Sequence, residues 1–192
     1  MPESLGKKAV RGSIWLSASS LFTRVLAAGR LLILAAILPQ TELGLFGMAI
    51  VVMQLVEQLS QTGMRQALIQ REGDIEDYLG TAWTSQIFRG LLLGAVLFFC
   101  AESIESFFGK AGLATLMRWL ALLPIMQGFF NMGFVYLNRE LQFDKVVIQT
   151  TAVSLIDNVL SIVLAFIWPF AIVLVIGRLI AIAVGIVSLI HI

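Results

Sequence analysis

The 192-residue sequence is 59% hydrophobic and only 13% charged, with a mean hydropathy of +0.94, against roughly 45–50% apolar and about 25% charged residues in soluble domains. A water-soluble globule is excluded, and a formal net charge of +1 offers no global attraction to nucleic acid or to an acidic partner. The lone cysteine, Cys100, and the lone histidine, His191, exclude an internal disulfide, a thiolate metal cluster and a histidine-based metal site.

A bilayer-spanning helix needs about 20 mostly apolar residues. Six stretches meet that requirement, at about 13–38, 44–63, 81–102, 113–137, 146–168 and 170–190, after a polar segment over 1–12. The last two are joined only by Trp168-Pro169-Phe170; the proline lacks an amide donor and restrains its predecessor, which predicts a tight helical hairpin. The runs are too long, and too lacking in period-two alternation, for barrel strands. The predicted fold class is therefore all-α, a polytopic membrane protein with six transmembrane helices. The break at 64–80 is too short to bury a core. Met64, Leu68, Ile75 and Leu79 share one side of it if it is helical, which predicts a strip lying along the cytoplasmic headgroups. Its acids Glu72, Asp74, Glu76 and Asp77 read as a solvated face, the alternative being the divalent-metal set of a membrane glycosyltransferase.

Lys7, Lys8, Arg11, Arg65, Arg71, Arg139 and Lys145 fall on one side of the membrane and Lys110 alone on the other, so both termini are predicted to be cytoplasmic. Arg24 and Arg30 inside the first apolar run, and its length, distinguish it from a cleaved signal peptide.

The charges within the spans carry the functional reading. Arg118 lies near a helix end and snorkels, but Arg24, Arg30, Arg89 and Arg178 sit within about 7 Å of mid-span. Facing lipid, each costs roughly 2.5–3.5 kcal/mol, so they are predicted to face a cavity or partners. Glu57 and Asp157 lie at similar depth. On a helical wheel Gln54, Glu57, Gln58 and Gln61 fall within an arc of about 100°, and Thr150, Ser154, Asp157 and Ser161 within about 60°. The first span carries two stripes, Ser13, Ser17, Ser20 and Arg24 on one and Ser19, Thr23 and Arg30 on another about 100° round; one is expected to face the cavity and the other a neighbouring helix. Four arginines against two carboxylates leave a positive interior suited to phosphate or pyrophosphate, whose oxygens guanidinium groups bind in bidentate fashion. The alternative is that these charges pair as glue between helices, Arg24 or Arg30 with Glu57 and another arginine with Asp157. Gly90 and Gly94 form a small-xxx-small pattern suited to close helix approach, and Pro124 predicts a kink or hinge in the fourth span.

Several ordered segments carry a family resemblance: Gly12-Ser13-Ile14-Trp15, Leu34-Ala35-Ala36-Ile37-Leu38-Pro39, Glu42-Leu43-Gly44-Leu45-Phe46-Gly47, Gly63-Met64-Arg65-Gln66-Ala67-Leu68-Ile69-Gln70-Arg71, Thr81-Ala82-Trp83 and Asn138-Arg139-Glu140-Leu141-Gln142-Phe143-Asp144-Lys145. In this order the chain resembles the oligosaccharide flippases of the polysaccharide transport family, relatives of the O-antigen and lipid II flippases and of the multidrug and toxin extruders. It departs from them at Ala36, where the family often has arginine, and at Pro39, which falls a residue early.

The resemblance implies a bacterial inner-membrane protein of two rocking six-helix lobes, of which this chain corresponds to the amino-terminal one and lacks the second. It further implies flipping of a polyprenyl-pyrophosphate-linked oligosaccharide, with Arg24, Arg30, Arg89 and Arg178 as the anion-attracting wall. Glu57 and Asp157 would orient those arginines or bind a coupling cation, H+ or Na+, and Gln54, Gln58, Gln61 and Asn131 would meet sugar hydroxyls. No catalytic residue, metal or other cofactor is expected. Alternatives in view are a cation-coupled drug or lipid exporter, a membrane glycosyltransferase and an assembly subunit.

Overall fold

The structure is a computed structural model and describes residues 5–61, 76–129 and 143–190. Every regular element in them is an α-helix. In chain order they are α1 (Leu5–Ile37), α2 (Gln40–Leu59), α3 (Glu76–Phe99), α4 (Ala101–Phe108), α5 (Leu113–Leu120), α6 (Leu122–Gly128), α7 (Phe143–Ile167) and α8 (Ile172–Ile190). Four contain stretches long and apolar enough to cross a membrane, Ile14–Ile37, Gln40–Leu59, Leu79–Phe99 and Lys145–Ile167; Leu113–Gly128 and Ile172–Ser188 are shorter apolar helices. The fourth predicted span runs on to 137, past the described residues.

Helix boundaries differ from the predicted ones where local chemistry overrides hydropathy. The first helix already includes Leu5, well before its apolar stretch at Ile14. The second begins at Gln40, with Pro39 as its N-cap at φ −55° and ψ 143°; a proline there gives up a donor that no helix would use. Residues 76–80, expected to end the loop, belong to α3. The Trp168-Pro169-Phe170 connection is as predicted, α7 ending at Ile167 and α8 starting at Ile172.

The fourth predicted span is broken at Ala121, between α5 and α6, because Pro124 supplies no amide for the carbonyl one turn earlier. That break is clamped against α3. A Cβ on Gly90 would run into the Pro124 carbonyl, one on Gly94 would lie 2.8 Å from the Ala121 carbonyl oxygen, and one on Gly128 would lie 3.2 Å from the Gln86 carbonyl oxygen. Gln86 Nε2 also donates to the Gln127 carbonyl at 2.9 Å. Small residues thus set the crossing, as expected where lipid supplies no hydrophobic drive between helices. Gly29, Gly44 and Gly47, by contrast, face open space.

Two apolar clusters hold the helices together. The larger joins α2, α5, α6 and α8 through Met53, Met117, Leu120, Leu123 and Val175; the smaller joins the end of α1 to α7 and α8 through Leu34, Leu38, Ala165, Val173 and Leu174, with Leu43 and Phe46 of α2 against it. At that end Glu42 Oε2 accepts the Ala171 amide at 2.7 Å, tying the α1–α2 corner to the α7–α8 hairpin. A second carboxylate, Glu105 Oε2, accepts the Ala114 amide at 2.7 Å and so caps α5. Arg118 bonds Glu102 at 2.6 Å and lies 5.6 Å from the Phe98 ring centroid.

Candidate functional site: charged side chains at membrane depth

The polar residues of α1 divide by face. Ser19 and Thr23 are half-buried, and Ser19 shares a hydrogen bond of 3.0 Å with Thr151 of α7. Further along the same stripe, Arg30 Nη1 donates to Asp157 Oδ2 at 2.8 Å. Both contacts advance in the same direction on the two helices, so α1 and α7 run parallel. Ser161 Oγ donates to the other Asp157 oxygen at 3.3 Å. Ser161 is fully buried and seated on Gly177 of α8, where a Cβ would stand 2.8 Å from its hydroxyl. The second stripe, with Ser17, Ser20 and Arg24, is exposed. One of the two predicted stripes therefore does face a neighbouring helix.

Glu57 lies half-buried on α2, and its Oε1 is buried without a hydrogen-bond partner among the described residues. Arg178 of α8 and Arg89 of α3 act on it electrostatically, yet neither closes an ion pair with it. The described residues contain two ion pairs, Arg30–Asp157 and Arg118–Glu102. Of the alternatives weighed for pairing, Arg30 with Asp157 is the one realised, and Arg24, Arg89 and Arg178 are left without a carboxylate at contact distance among the described residues. Gln54 and Gln58 lie on the exposed face of α2, and Gln61, just beyond its end, is exposed as well. Asn131 lies outside the described residues, as do Glu72 and Asp74.

Sequence reasoning passed over two buried amides on α7. Gln149 Nε2 reaches the Gly185 carbonyl at 3.5 Å, and Asn158 Nδ2 donates to Ser154 at 2.7 Å. Their oxygens, Gln149 Oε1 and Asn158 Oδ1, are buried and unpartnered among the described residues. The signal available was amides interrupting an apolar run, off the stripe that holds Asp157.

Chemically, Arg24, Arg89 and Arg178 are guanidinium groups without a carboxylate at contact distance among the described residues, a type of side chain suited to binding an oxyanion. Long apolar helices carrying charges at mid-span define a multi-pass α-helical membrane protein. The chain belongs to the polysaccharide biosynthesis protein family, whose pattern it matches over residues 33–192.

Among its relatives is the lipopolysaccharide biosynthesis protein WzxC of Escherichia coli, 24% identical over 181 residues that make up 94% of this chain and 37% of that protein. The teichuronic acid biosynthesis protein TuaB of Bacillus subtilis is 25% identical over 82% of this chain and 32% of its own. The succinoglycan biosynthesis transport protein ExoT of Rhizobium meliloti is 24% identical over 69% of this chain and 27% of its own. The chain thus spans about a third of the length of these relatives. No solved structure matches it.

Proposed function

We propose that the chain forms one lobe of a flippase that moves a polyprenyl-pyrophosphate-linked oligosaccharide from the cytoplasmic to the periplasmic leaflet of a bacterial inner membrane, with both termini cytoplasmic. The observation that carries this reading is the uneven pairing at membrane depth. Among the described residues one arginine of the four is held by a carboxylate at contact distance, and guanidinium groups left at mid-span are tolerable only beside water, a polar surface or an anion. Arg24, Arg89 and Arg178 supply the attraction for the pyrophosphate, and Gln54, Gln58, Gln61 and Asn131 meet the sugar. A second six-helix lobe, supported by the chain's one-third share of its relatives' length, completes the cavity, and the two lobes alternate access around a midplane site.

A cation-coupled exporter of drugs or lipids is favoured by a different observation, the buried and unpartnered Glu57 oxygen, which suits H+ or Na+. The two readings separate in a polymer-export assay of the full protein. On the flippase reading, Arg24→Gln combined with Arg89→Gln lowers export at least about tenfold, as loss of a charge-assisted hydrogen bond predicts, at normal folded yield. Intact export in that variant, with export abolished by Glu57→Gln, overturns the arginine anion site and favours cation coupling at Glu57.

A further inference from the structure

The two arginines of α1 are six residues apart, so they are separated by about 9 Å along the helix and by roughly 120° around it. They have different surroundings. Arg30 is held at 2.8 Å by Asp157, with side chains only 13% and 16% exposed. Asp157 is held in turn by Ser161, which is wedged on Gly177 where α7 crosses α8. The Arg30 guanidinium therefore cannot leave for a ligand without stranding a carboxylate in a low-dielectric interior. Its neighbour Arg24 is exposed, together with Ser17 and Ser20, and has no ion partner among the described residues. It lies near the middle of the apolar stretch Ile14–Ile37, where a guanidinium facing hydrocarbon is unfavourable.

We propose that α1 divides two roles between these residues: Arg24 is the ligand for the lipid-linked pyrophosphate, and Arg30 is a positioning residue whose bond to Asp157 fixes the rotation of α1 on α7 so that Arg24 and its serines face the substrate. This rests on the pyrophosphate reading above and assigns its α1 contact. The separation around the helix makes the roles exclusive, because the face that turns Arg30 to Asp157 turns Arg24 away from α7. Ser19–Thr151 on the Arg30 stripe is a second fixing point, so α1 is held at two depths against the same helix.

The test measures binding of geranylgeranyl pyrophosphate, with geranylgeraniol as the uncharged control, to the full two-lobe protein in lipid nanodiscs by ligand-dependent thermal shift. Arg24→Gln is expected to unfold at the wild-type temperature without ligand, to bind the pyrophosphate at least about tenfold more weakly, and to lose its preference over the alcohol. Arg30→Gln is expected to unfold earlier and bind more weakly. The exchange Arg30→Asp with Asp157→Arg is expected to recover both the unfolding temperature and, within about threefold, the affinity; where it does not fold, the neutral pair Arg30→Gln with Asp157→Asn is read in the same way. A rescued pair that regains the unfolding temperature but not the affinity makes Arg30 a ligand and overturns the assignment. Unchanged affinity in Arg24→Gln overturns it as well, whatever the paired variants do. A wild-type two-lobe protein with no pyrophosphate-dependent shift refutes the pyrophosphate reading itself, and the role of Arg24 with it.

Discussion

Arg30 Nη1 and Asp157 Oδ2 stand 2.8 Å apart across 127 residues of sequence, and this bond is where the first apolar helix and the fifth predicted span recognise each other. Its energetic weight comes from what remains when one partner is lost. With Asp157→Ala, a guanidinium is left unpaired in an interior where its side chain is 13% exposed. The expected loss is about 3 kcal/mol, read as a lower unfolding temperature in detergent and a lower folded yield. Replacing both partners with apolar residues of similar volume is expected to recover most of it.

The α3–α6 crossing gives a sharper contrast. Gly90→Ala places a methyl group against the backbone carbonyl of Pro124, which cannot rotate away, and is expected to destabilise by about 1–3 kcal/mol. Gly47→Ala, in the interior of α2 with open space around it, is expected to be neutral or stabilising by up to about 1 kcal/mol. Paired thermal unfolding curves check both. The same clamp holds Pro124 against α3, so locking it there with a disulfide is expected to leave export intact.

Glu42 reaches from α2 to the Ala171 amide at the start of α8. Glu42→Ala removes that acceptor from a helix start and is expected to cost about 1 kcal/mol, with Glu42→Gln, which keeps an acceptor oxygen, losing less. Hydrogen exchange at the Ala171 and Ile172 amides reports the effect locally.

The Arg118–Glu102 pair looks strong at 2.6 Å but is 41% and 78% exposed on its two sides. Glu102→Gln is therefore expected to change stability by less than about 1 kcal/mol, measured in the same unfolding assay.

Membrane orientation is checked by labelling. Cys100 is exposed, so the background is Cys100→Ser. In it Lys110→Cys is expected to react with an impermeant maleimide from the periplasmic side, and Lys145→Cys only after the membrane is opened. Equal labelling of both overturns cytoplasmic termini.

The all-α class, the short hairpin at Trp168-Pro169-Phe170, the close approach at Gly90 and Gly94, and the two-stripe character of α1 were legible in the sequence. Each rests on a property that acts along one chain: the length of an apolar run, a missing amide, a missing Cβ, or the 100° step of a helix. The helix start at Gln40 was less legible, because a helix extends beyond its apolar stretch to a residue such as Pro39 that needs no amide donor. Which charges meet was not legible at all. Arg24 and Arg30 are equally deep in sequence and equally able to pair. Only the packing of α1 along α7 brought Arg30 to Asp157 and left Arg24 outside, since an ion pair between distant residues depends on the rotation of one helix against another, and that rotation is set by contacts such as Ser19 on Thr151 that no single stretch of sequence contains.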